Sequence, residues 1–441
     1  MRFPIYLGLV TALISGCGND TEGTNVDAPP DHPPPRVISG GGIGDGPIDG
    51  VANIYVVDDT TRMPISGATV RVGTLDGTTD VTGLFIAEGV TGPQTVIVKA
   101  AGHRSDMWIG ANGTNMTFNM ETSTEPVPGT ATIAGTIDLT SITLATNHFR
   151  VASVFYSGTD DLGDAANEIA TANNANVCFV PNATACTYSI KTRTGKVALM
   201  AAIFDHDTKG TMTDTDDTQV LIGWAVKTGL TVTGGVDQSG IAMTLVDVGM
   251  LNTVTVDFGT PPTGFTVAGA IIGIDTGADG VLQVPLFRTR TDATLLVPKL
   301  AAFAGSSYRL TAISNTGMSA TAAASIVLRR KITGTTLMAG TWLGAPTSTM
   351  ASRTGVSYAP VSGATIHSVE FKQGTAGLLN VSVFDSSTTQ FTIPDLVALP
   401  LGPLDVDINA IGAPGLDVNN FVLDDEKDKL SMVSSQPIVL N

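Results

Sequence analysis

The chain has 441 residues, enough for roughly three domains at about 150 residues each. Its hydrophobic content of 43% supplies packed cores and excludes wholesale disorder. Twenty-three Lys and Arg against 40 Asp and Glu leave a net charge of −17, which excludes nucleic acid or an anionic lipid surface as a partner held by charge. Charged residues are only 14% of the chain, against about 25% in an average globular protein. Five His and three Cys leave little from which to build a metal or nucleophile site.

Met1-Arg2 gives a short positive start, and residues 3–14 form a mostly apolar run. A run of about a dozen residues suits a secretory signal and falls short of the roughly 20 a spanning helix needs. Ile14-Ser15-Gly16-Cys17 then resembles the bacterial lipobox, an aliphatic residue and two small ones before the cysteine that becomes acylated. The resemblance implies that residues 1–16 are a lipoprotein signal peptide and that Cys17 carries lipid. An ordinary cleaved signal with an incidental cysteine is the alternative. Gly18, not Asp, follows the cysteine, which by the same resemblance implies the outer membrane, facing the periplasm or the cell surface. The apolar runs at 197–204 and 267–274 have the length of buried strands, not of spanning helices. A transmembrane barrel would want aromatic girdles, for which six Tyr and three Trp are few. A lipid anchor carrying soluble domains is expected.

Residues 17–46 hold Pro29-Pro30, Pro33-Pro34-Pro35 and Gly40-Gly41-Gly42, a composition that reads as a Pro/Gly-rich tether. The Gly run is no phosphate loop, because a strand pattern follows it and no helix does. From residue 50 onward short β-branched runs alternate with Gly, Pro, Asp and Thr clusters, at 54–57, 69–72, 95–98, 149–156, 196–204, 220–226, 253–258, 307–313, 325–328 and 379–384. Residues 161–176 read as a helix or a long loop. Strands at this spacing predict an all-β chain of tandem antiparallel β-sandwiches. The expected modules are 47–122, 128–248, 249–345 and 346–441, with 249–441 open to being one unit.

Two blocks recur in the same order. Pro64-Ile65-Ser66-Gly67-Ala68-Thr69-Val70 matches Pro360-Val361-Ser362-Gly363-Ala364-Thr365-Ile366, and the stretch beginning Gly92-Pro93 matches the one beginning Gly402-Pro403. The first and last modules are therefore expected to share one fold. The first of these blocks, with Thr79-Asp80-Val81-Thr82-Gly83-Leu84-Phe85 and Ala101-Gly102-His103, resembles the carboxypeptidase regulatory-like domain. That resemblance covers residues 47–122 and implies a transthyretin-like (prealbumin-like) sandwich of seven or so strands without catalysis of its own. His103 departs from the Tyr or Phe common at that place.

In the second module Cys178 and Cys186 flank a Pro-Asn turn. In an oxidising compartment such a pair is expected to form a disulfide, and a two-thiol metal site lacks any His nearby. Asp205, Asp207, Asp214 and Asp216 stand in the run 205–217 with Gly210 at the sixth position, the spacing by which a loop wraps Ca²⁺ in oxygens. Lys209 occupies a ligand position, and a solvated acidic turn is the alternative. The turns at 275–280 and 424–429 are weaker versions. Trp108 is the ring best placed to lie on a loop or edge and stack on a sugar; core packing is the alternative for it, Trp224 and Trp342.

His367-Ser368-Val369-Glu370 contains an H-x-x-E string, but in a strand these side chains point to opposite faces, and no His follows. The chain lacks H-E-x-x-H, G-x-S-x-G and P-loop motifs. It is expected to be a non-enzymatic envelope protein that scaffolds or adheres through its sandwiches. Its partners are the membrane through the lipid, an envelope protein or a polysaccharide, with Ca²⁺ as the one cofactor in view. Binding of surface polysaccharide, or a place as accessory subunit of a secreted hydrolase, are the alternatives.

Overall fold

The computed structural model describes residues 33–123, 129–158, 177–180, 184–211, 216–284 and 293–441, and nearly every element in them is a strand. Residues 161–176 and the proposed lipid site Cys17 lie outside the described residues. The described chain enters with β1 (Gly42–Gly44). A first group follows: β2 (Asp49–Asp58), β3 (Thr69–Val72), β4 (Leu75–Thr78), β5 (Leu84–Thr91), β6 (Gln94–Lys99), β7 (Ser105–Ala111) and β8 (Asn115–Met120). The second holds β9 (Thr130–Asp138), β10 (His148–Tyr156), β11 (Val177–Val180), β12 (Ala185–Arg193), β13 (Gly195–Asp207), β14 (Thr218–Val232) and β15 (Gln238–Leu245). The third holds β16 (Leu251–Asp257), β17 (Thr266–Asp275), β18 (Val281–Val284), β19 (Ala293–Pro298), β20 (Ser307–Asn315), β21 (Ala324–Ile332) and β22 (Thr336–Met338). The fourth holds β23 (Thr347–Ser352), β24 (Gly355–Ala359), β25 (Ile366–Gln373), β26 (Ala376–Val383), β27 (Gln390–Thr392), β28 (Leu404–Gly412), β29 (Phe421–Val422) and β30 (Met432–Leu440).

The first three groups repeat one wiring. In each, the first strand pairs antiparallel with the fourth and parallel with the seventh, giving β5-β2-β8, β12-β9-β15 and β19-β16-β22. The other four strands make the facing sheet, as β4-β3-β6-β7, β11-β10-β13-β14 and β18-β17-β20-β21. The fourth group keeps that facing sheet as β26-β25-β28-β30, while β23 stands beside β24 where the others place a seventh strand. The two repeated sequence blocks fall on equivalent places. Each leads into the second strand of its four-strand sheet, β3 or β25, and each turns through a glycine with positive φ, Gly67 at 74° and Gly363 at 86°.

The groups are not beads in sequence order. β7 pairs parallel with β26, and β30 pairs antiparallel with β21, so one twelve-stranded sheet runs through the first, fourth and third groups. Alternate side chains of its strands serve different cores. Val96, Val98 and Trp108 enter the core of the first group, while Ile97, Met107 and Ile109 enter that of the fourth, beside Val369, Phe371 and Val381. β13 does the same between the second and third groups. Val197, Leu199, Ala201 and Ile203 face one core, and Ala198, Met200, Ala202 and Phe204 the other. Its unbroken apolar run follows from burial on both faces.

The tether reading needs correction for residues 33–46. β1 lies between β8 and β29, inside a sheet, with Ile43 and Ile38 only 1% and 3% exposed. The glycines serve close approach. A Cβ on Gly42, whose φ is +135°, would sit 2.1 Å from the Phe421 carbonyl oxygen. Flexible composition was the visible signal, and tight packing is what it permits.

Among the described residues no helix is long and apolar enough to cross a membrane.

Candidate functional site

The disulfide joins Cys178 on β11 to Cys186 on β12, with Cα atoms 5.8 Å apart. β11 and β12 lie at opposite ends of the seven-strand sheet that winds through this group, so the bond closes the group on itself. Closing so short a loop contributes about 2–3 kcal/mol on the chain-entropy account. Replacing both cysteines by serine is expected to cost that much, read as a shift in urea unfolding of the second group. An unchanged midpoint would show that the bond carries no load.

The described carboxylates of the acidic hairpin between β13 and β14 each turn to a His, Lys or Thr side chain. Asp205 lies 2.8 Å from His148 Nδ1, and Asp207 lies 3.6 Å from His148 Nε2 and also pairs with Lys209. That ammonium holds the Asp207 carboxyl below its usual range. Asp216 accepts from the Thr211 hydroxyl at 2.9 Å, and Asp217 sits 2.7 Å from His206 Nε2. Asp214 lies outside the described residues. Among the described residues no group of three or more His, Cys, Asp or Glu side chains is arranged to hold a metal ion.

Trp108 is corrected from a surface ring to a core residue. It is 6% exposed, stacks on Phe118 at 3.8 Å between centroids, and meets Phe384 edge-on at 5.7 Å. The position alternates with Met107 and Ile109 on a strand covered on both sides, so no face of the ring is left for a sugar. Trp224 and Trp342 are buried too, the latter donating to the Phe258 carbonyl oxygen at 2.8 Å. His367 is likewise buried, its Nε2 accepting from the Val361 amide at 3.0 Å, and desolvation lowers its pKa. Glu370, three positions on, pairs with Lys372 at 2.7 Å.

A cavity of about 610 Å³, unmarked by any sequence motif, is lined by Asp45, Gly46, Pro47, Asn112, Asp417, Asn419 and Asn420. Three loops build it: the turn after β1, the β7–β8 connection and the segment before β29. Asn112 Oδ1 accepts from the Ile48 amide at 3.0 Å, and one Asp417 oxygen accepts from the Asn419 amide at 3.0 Å. Asp45 accepts from Arg36 Nε and Nη2 and from the Asn115 side-chain amide, and the guanidinium keeps its carboxyl below the usual range. The lining offers amide and carboxylate groups without an aromatic face. Its residues come from opposite ends of the chain, and no local pattern marks them.

No protein-family model matches the chain, and no curated protein does. Among solved structures, the Bacillus anthracis TIE protein aligns at 10% identity and a TM-score of 0.15 over 66% of this chain and 50% of its own. This chain thus spans about half the length of that protein. The major pilin subunit BcpA of Bacillus cereus aligns at 9% identity and 0.16, over 66% of this chain and 97% of its own. The Corynebacterium diphtheriae major pilin SpaA aligns at 8% and 0.14, over 76% and 98%. Each is too distant to lend this chain a function. What stands is an all-β chain of repeated sandwiches, with an amide-lined cavity where its first and last strand groups meet.

Proposed function

We propose that the chain is a non-enzymatic, lipid-anchored envelope protein whose sandwiches act as a scaffold or adhesive surface. The observation that carries the reading is the route of the chain behind Cys17. The segment 33–46 enters the body through β1 and is held between β8 and β29, so a pull on the anchor is passed directly into two strand groups. An outer-membrane location and an envelope partner belong to the same proposal. In whole cells, labelled palmitate is expected to enter the full chain and not a Cys17→Ser variant, and surface crosslinking should join the wild type to envelope proteins. A chain that takes up no palmitate and stays free in the soluble fraction would sink the reading.

The cavity at Asn419 and Asn420 favours a second reading, binding of a surface polysaccharide. A glycan screen of residues 33–441 should then find a ligand whose affinity drops about tenfold in Asn419→Ala, the loss of one or two hydrogen bonds. Binding untouched by that change, or no binding, would leave the scaffold reading alone. A hit that needs calcium would revive the acidic hairpin as a metal site.

A further inference from the structure

A buried set of charges lies where β7 meets β26. Arg104 reaches Glu121 at 3.0 Å, Glu370 at 3.4 Å and Asp106 at 3.8 Å. Lys372 reaches Glu370 at 2.7 Å and Asp407 at 3.4 Å. Arg104 stands just before β7 and Asp106 on it, Glu121 follows β8, Glu370 and Lys372 are on β25 and Asp407 is on β28, with Asn380 of β26 bonded to Asp106. Asp59, in the turn after β2, also bears on Asp106 and Glu121, while Arg62 lies between Asp59 and Asp424 at the edge. Asp405 adds its charge beside Asp407. Asp58 and His103 pair nearby at 2.9 Å.

Carboxylates outnumber cations here. Asp59, Asp106, Glu121, Glu370 and Asp407 face Arg104 and Lys372, with Arg62 shared outward. The Asp106 side chain is buried, and its Oδ1 has no hydrogen-bond partner. Surplus negative charge out of water is costly, and the cheapest relief is a proton.

We propose that this seam is a proton-operated latch between the first and fourth strand groups, tight when its surplus carboxylates are protonated and loosened when they ionise. Burial raises Asp106 to about 6 and Glu121 to about 7, and Asp59 and Asp407 shift upward for the same reason. Folded values above the unfolded ones mean that ionisation opposes folding. The penalty is absent below the unfolded values near 4, grows as pH rises from there, and is complete above about 7.

The test is the thermal midpoint of residues 33–441 between about pH 5 and pH 8, with native-state hydrogen exchange of β7 and β26 corrected for intrinsic rate. Wild type should open β7 and β26 about tenfold or more readily at the higher pH, the worth of one pKa unit or more. The net charge of −17 gives every strand some acid preference, so the variants decide. Asp106→Asn and Glu121→Gln, which mimic the protonated groups, should flatten the slope and the local opening together. A variant that keeps the wild-type slope overturns the proposal, as does opening spread evenly over all sheets. Should Asp106→Asn fail to fold, Glu121→Gln at the seam's margin is read by the same slope.

Discussion

A chain that begins at Pro47 is expected to be less stable than one that begins at Pro33 by about 3–6 kcal/mol, the worth of two buried isoleucine side chains. Ile38 and Ile43 are those residues, and β1, which carries Ile43, fills the gap between β8 and β29. Without it β8 gains a bare edge and β29 loses its partner in the first group. Gly42→Ala should reproduce much of the loss by a single methyl, because the added carbon meets the Phe421 carbonyl oxygen. Denaturant unfolding of the three proteins checks this. Equal midpoints for the two lengths would mean that 33–46 behaves as the tether its composition suggests.

Trp108→Ala is expected to cost about 3–5 kcal/mol, the usual toll of removing a large aromatic from a core. The ring bridges Phe118 of the first group and Phe384 of the fourth, and Phe384 in turn lies 5.7 Å from Phe421. The loss should therefore appear in both groups, as faster hydrogen exchange in β8 and in β26 alike. A loss of glycan binding with stability unchanged would instead restore Trp108 to the surface role its sequence setting suggested.

The readable part of the fold was local. Every β-branched run named from the sequence falls on a strand, with only Phe258 and Phe384 one residue past the ends of β16 and β26, because alternation and turn residues act over a few positions. The unbroken run of β13 already implied burial on both faces. The Thr79-Asp80 block is a turn: Asp80 Oδ1 accepts from the Thr82 and Leu84 amides, and β5 begins at Leu84. What stayed hidden was long range. Whether Trp108 faces water or a core depends on β26 and on Phe384. Whether Gly42 is slack or packed depends on Phe421. Asp106 did carry a faint signal, a charge set inside the largely apolar strand β7. Nothing local shows that Glu370 and Asp407 share its seam.

The parallel pairing of β7 with β26 also has a consequence for the order in which the chain is made. Ser105 is opposite Leu379, with more than half of the polypeptide between them. At about 5–20 residues per second of synthesis, β7 waits on the order of tens of seconds for its partner. During that interval Ile97, Met107 and Ile109 have no core to enter, since the strands that cover them are the last to emerge. The first group is thus born with a sticky flank, and a helper that shields it, or a slow commitment to folding, is part of what the nascent chain requires.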